Sequence, residues 1–173
     1  MSEVTPSREA HADSPLMAEL LWVHDWIRRD LRRCQELARA VRAGAAADQV
    51  RAEVRELRTA GPLWRLRAGC LRYCALVHHH HRLEDAHMFP ALRRYAPELA
   101  TTLDRLERDH AEVSDVLDEV EAATETLAGD GGERLAAALD RLADHLLDHL
   151  DREERAVAPV FARNRLTMDD LFS

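Results

Sequence analysis

The chain has 173 residues, 46% apolar and 32% charged, with a formal net charge of −8. That length suits one domain around one core, and an acidic balance with scattered basic residues, all 24 of them arginine, excludes an obvious nucleic-acid partner. No apolar run approaches the roughly 20 residues needed to cross a bilayer, so no membrane partner is expected.

In chain order, residues 1–14 are polar, have no apolar signal-peptide core and read as a disordered N-terminal segment, which sets the expectation of a cytoplasmic protein. Ser14-Pro15 has the form of a helix N-cap followed by proline at the first helical position, and predicts a helix over 15–43. Asp48 caps a shorter predicted helix to about Thr59, with Val50, Val54 and Leu57 on one side. Gly61-Pro62 breaks the chain before a long helix over 62–89, ending near Phe89-Pro90. Pro97 opens a helix over 97–128, and the loop Ala128-Gly129-Asp130-Gly131-Gly132 leads into the last one, over 133–162. The tail, 163–173, is expected to be loosely held. Plentiful leucine and alanine, few β-branched residues and only six glycines and six prolines favour helix throughout. The fold class is therefore all-α: an up-down-up-down four-helix bundle over 15–162, with one extra short helix between the first and second long helices.

Cys34, Cys70 and Cys74 are too few and too odd in number for a disulfide framework and read as small packing residues in a reducing compartment. The ten histidines carry more information. At 100° per residue, His24 lies within roughly 60° of Met17, Leu20, Leu21, Ile27 and Leu31. His110 is placed in the same way among Leu103, Leu106, Val113 and Leu117, and His149 among Leu135, Leu142, Leu146 and Val160. In the run His78-His79-His80-His81, the face of Leu66, Leu76, Val77 and Leu83 selects His80. The other three read as solvated or helix-packing residues, with His81, roughly 100° away, the next to promote. Every long helix thus aims a histidine inward.

Glu84 follows His80 by four residues and Glu153 follows His149 by four, the spacing that puts two side chains on one helix face. Each glutamate precedes a proline by six, Pro90 and Pro159, so the pattern His-x3-Glu-x5-Pro occurs twice, 69 residues apart. The chain reads as two related helical hairpins closing on a pseudo-twofold axis. Any one of these histidines alone is more simply a hydrogen-bonded core residue, and either glutamate alone a surface charge. Together they reverse that reading, because burying an uncompensated carboxylate costs several kcal/mol against a folding stability of about 5–15 kcal/mol. Metal cations would neutralise the carboxylates and accept the imidazole nitrogens.

The stretches Trp22-Val23-His24-Asp25, His80-x3-Glu84-Asp85-x3-Phe89-Pro90, Asp109-His110 and His149-x3-Glu153-Glu154 resemble the hemerythrin-like, or HHE cation-binding, family across nearly the whole chain past residue 14. The resemblance implies a bundle holding two non-haem iron ions, oxo- or hydroxo-bridged, ligated by His24, His80, Glu84, His110, His149 and Glu153, the two glutamates bridging. Manganese or zinc would suit the same donors. Oxygen-carrying members have a second histidine where this chain has Ser114, and a last carboxylate five residues after its histidine instead of four. The chain therefore resembles the bacterial variant, with open positions for a small diatomic or peroxide ligand: O2, peroxide or nitric oxide. His145 and His87 are candidates for a fifth histidine, although lining or hydrogen-bonding roles are the simpler assignment. Two other readings stay open. One is an iron, oxygen or redox sensor signalling through a partner protein. The other is a ferritin-like di-iron carboxylate protein using Glu84-x-x-His87 and Glu107-x-x-His110. Trp22 and Trp26, opposite His24, are expected under the short helix or at a subunit contact; the chain would be a monomer or homodimer.

Overall fold

The computed structural model describes residues 14–40, 42–43, 62–125, 127 and 130–171, and the side chains of all of these except 62–67. The short helix expected over 48–59, the stop at Gly44 and the N-terminal segment before Ser14 lie outside the described residues. Every regular element among the described residues is helical. The long ones are α1 (Pro15–Ala40), α2 (Pro62–Leu83), α4 (Ala100–Glu125) and α5 (Gly131–Asn164), with shorter helices α3 (Phe89–Tyr95) and α6 (Met168–Leu171). No described helix is long and apolar enough to cross a membrane.

α1 begins as its sequence dictates: the Ser14 hydroxyl accepts the Met17 N–H at 3.4 Å, and Pro15, which has no N–H to lose, stands first in the helix. α2 does not stop at Pro90. It passes into a π turn, Glu84–Met88, closed by the Phe89 N–H on the Glu84 carbonyl, and continues as α3. Pro90 sits in the first turn of α3, where a missing N–H costs least, so the wider turn carries the helix past a residue that would otherwise end it. Pro97–Leu99 form a 3-10 turn before α4.

α1 packs on α2 and α5, and α4 on α2 and α5, which closes a ring of four helices. The core has two apolar blocks. One holds Ile27, Leu31, Val77, Leu117, Leu139 and Leu146, together with the three free cysteines. The other holds Met17, Phe89, Leu92, Leu103, Leu106 and Phe161. The tail is not loose as far as Leu171. Arg165, at φ 47°, turns the chain back after α5, and Leu166 and Leu171 are buried in the second block. Their apolar side chains are what hold a segment that reads as polar overall.

Candidate metal centre

Between the two apolar blocks lies a layer of buried polar side chains: His24, His80, His81, Glu84, His110, His149 and Glu153. The first comes from α1, His80 and His81 from the last turn of α2, Glu84 from the π turn, His110 from α4, and His149 and Glu153 from α5. They form two clusters, each with potential ligand atoms within 4.8 Å of one another: His24, His80, Glu84 and Glu153; and His81, Glu84, His110 and His149. All six residues singled out in the sequence are brought together here, and Glu84 stands in both clusters.

The distances repeat between the two histidine pairs. His24 Nε2 faces His80 Nε2 at 3.1 Å, and His110 Nε2 faces His149 Nε2 at 3.1 Å. Glu84 lies between the pairs, with Oε1 3.0 Å from His80 and Oε2 3.4 Å from His110. Glu153 Oε2 is 3.4 Å from His24 and 3.7 Å from His149. On the outer side, His24 Nδ1 donates to Glu154 at 2.8 Å and His110 Nδ1 donates to Asp85 at 2.7 Å. Each outer carboxylate directly follows a central glutamate and reaches across to the other hairpin. With Nδ1–H so engaged, the lone pair of each imidazole is on Nε2, aimed at the centre.

Two nitrogen lone pairs cannot face each other at that distance unless a proton or a cation stands between them. Among the described residues the glutamates have no polar partners beyond these imidazoles and each other. All four of their carboxylate oxygens are buried without a hydrogen bond, as is His81 Nε2. Burying such atoms unpaired is costly. Imidazole nitrogens and carboxylate oxygens converging in this way fit transition-metal ions.

The proton affinities show what the site does without cations. Burial lowers the pKa of His24, but Glu154, Glu84 and Glu153 outweigh it and raise it to about 9; for His110, Asp85 and Glu84 do the same, also to about 9. Burial pushes His80 down to about 4 and His149 to about 3, and lowers His81 as well. Glu84, despite burial, is held ionised by His80, His110 and His24. Glu153 is pushed up by burial and by the negative charge of Glu84, so it keeps its proton. Protons occupy the places where cations would stand.

Several sequence expectations change. His81 stacks on His110 with ring centroids 3.9 Å apart and joins the second cluster, where the sequence favoured a packing role. Two adjacent clusters present a target wide enough for consecutive residues on one helix. His145 is not turned inward. Its side chain is 48% exposed and 3.8 Å from Glu112, because the buried arc of α5 runs through Leu142, Leu146, Leu150 and Glu153 and leaves His145 at its edge. Ser114 is half-buried with its hydroxyl 3.5 Å from His78, and His87 lines a pocket beside the first cluster. Glu107, needed by the ferritin-like reading, pairs with Arg93 at 2.9 Å and is in neither cluster. Glu154 and Asp85 are functional candidates the sequence reading gave no role. The doubled acids Glu84-Asp85 and Glu153-Glu154 were the available signal.

A model of the hemerythrin HHE cation binding domain matches residues 23–161 of this chain. No curated protein and no solved structure matches it.

Proposed function

Since this chain belongs to the hemerythrin HHE cation binding domain family, we propose that it is a dinuclear non-haem iron protein whose ligand is O2, peroxide or nitric oxide. His24 and His80 would hold one ion and His81, His110 and His149 the other, with Glu84 and Glu153 supplying the carboxylates. The observation that carries this reading is the set of four buried carboxylate oxygens without hydrogen bonds, set between two pairs of facing imidazoles. Bound iron supplies the redox and ligand-binding chemistry.

The chain's own groups do the rest. Glu154 and Asp85 fix the tautomers and ring planes of His24 and His110 and strengthen them as donors. Arg28 holds Glu154 at 2.7 Å. The apolar blocks on either side exclude water. The first cluster offers two histidines and the second three, so a cation held by the first would have fewer imidazole donors. The helices run up-down-up-down, the order that the short connections before α4 and before α5 favour, and the protein acts in the cytoplasm as a monomer or homodimer. A second reading, a sensor signalling through a partner, is favoured by the exposed pair Trp22 and Trp26, 62% and 41% accessible with ring centroids 6.0 Å apart.

The test is iron quantitation with a visible spectrum before and after peroxide. Two irons per chain are expected, with ferric charge-transfer absorption that is lost in the Glu84→Ala/Glu153→Ala double variant. Less than one tightly bound transition metal after anaerobic reconstitution rejects the reading. Turnover of peroxide favours an enzyme; metal-dependent partner binding without turnover favours the sensor.

A further inference from the structure

A pocket of about 120 Å3 lies against the first cluster, and its lining includes His80 and Glu84 but none of His81, His110 and His149. Its walls are apolar, with Leu16 and Leu20 from α1, Met88 from the π turn, Phe161 from α5, and Met168 and Leu171 from α6. The outer wall is built and held. Asp170 accepts from the Thr167 N–H and hydroxyl at 2.8 and 2.7 Å and from the Tyr95 hydroxyl at 3.2 Å, and its carbonyl accepts from Arg94. That leaves Met168 at the rim, 45% exposed, and Leu171 buried.

This room exceeds what a diatomic molecule needs. An enclosed apolar cavity of about 150 Å3 accommodates benzene; this pocket is somewhat smaller and open at its rim, so it suits a small hydrocarbon group that reaches solvent at one side. The charges define the guest further. Two acidic residues, Glu84 and Glu19, share the lining with two histidines, His80 and His87, so no single sign of charge selects an ion, and the apolar walls disfavour either sign. We propose that this pocket binds a small neutral organic molecule with one oxygenated end, of the size of a tert-butyl alcohol or hydroperoxide, its hydrocarbon part among Leu16, Leu20, Phe161 and Leu171 and its oxygen towards His80. The direction of the oxygen rests on the dinuclear reading, whereas occupancy by a hydrocarbon group does not.

Saturation-transfer NMR on the full chain as purified, with benzene, tert-butyl alcohol and benzoate as probes, tests the assignment. Benzene and tert-butyl alcohol should bind and benzoate at least tenfold more weakly. Met168→Trp, which fills the rim from an exposed position, and Leu171→Phe should each weaken tert-butyl alcohol at least tenfold while the helical circular dichroism is unchanged. No benzene signal, benzoate binding as tightly as benzene, or indifference to both variants overturns the proposal. Benzene binding needs no iron. A chain that takes up two irons but no benzene therefore refutes the pocket and not the dinuclear centre, and the converse result refutes the centre and not the pocket.

Discussion

Around His24 the outer carboxylate, Glu154, is only 19% exposed and is clamped by Arg28; around His110 the outer carboxylate, Asp85, is 42% exposed. His80, on the first side, opens on an apolar pocket, whereas His110, on the second, is stacked between His81 and Phe89. One symmetric plan, a helix histidine facing a second histidine with a carboxylate behind it, is thus finished in two ways. The first half is firmly backed and open in front; the second is packed in front by a third imidazole. On the proposed function, this difference would place ligand access at the first half and a structural, charge-holding role at the second.

The largest expected effect tests whether the halves are joined. Glu84 stands in both clusters, so Glu84→Ala should abolish binding of both ions, read as metal per chain by elemental analysis; retention of one full equivalent would show that the halves are independent. His81→Ala separates them. It should reduce the content from two ions to one, with the remaining ion still sensitive to His24→Ala. Two ions retained in His81→Ala would return His81 to a packing role.

Smaller effects grade the supporting carboxylates. Loss of an outer partner of a ligating histidine costs about 10–100-fold in metal affinity. Competition with a chromophoric chelator should place Glu154→Gln near the top of that range and Asp85→Asn, more exposed, near the bottom; the reverse order would break the comparison. Protonation gives a milder lever. His24 and His110 are raised to about 9 in the metal-free site and must lose a proton before Nε2 can ligate. Affinity should therefore fall as pH drops below about 9, by up to about tenfold per unit for each proton displaced, the proton of Glu153 adding to those of the two histidines. A flat profile between pH 6 and 9 would contradict the assignment. The far apolar block supplies the control. Leu117→Ala should cost about 2–5 kcal/mol in denaturant unfolding and leave the metal stoichiometry unchanged.

The sequence made the long helices legible because period, caps and breakers agree in each: Ser14-Pro15 starts α1 where expected, and Pro97 and the glycine-rich loop separate α4 and α5 from what precedes them. The inward histidines were legible for the same reason, since a lone imidazole on an apolar stripe is placed by the helical period alone. What failed were features that the period cannot carry. The π turn at Glu84–Met88 carries the helix past Pro90, a residue that on its own reads as a stop. His81 was hidden because a wheel aims at one point while two clusters share Glu84. His145 was misplaced because the buried arc of α5 is offset from His149. The roles of Glu154 and Asp85 depend on contacts between hairpins, which no single-helix pattern encodes.

The most direct measurement is an anomalous-difference map from crystals of the iron-reconstituted protein, collected on both sides of the iron absorption edge. Two peaks are expected within one bundle, one against His24 and His80 and the other against His81, His110 and His149, with the Glu84 carboxylate between them. A single peak, or iron anywhere other than between these side chains, would contradict the dinuclear reading.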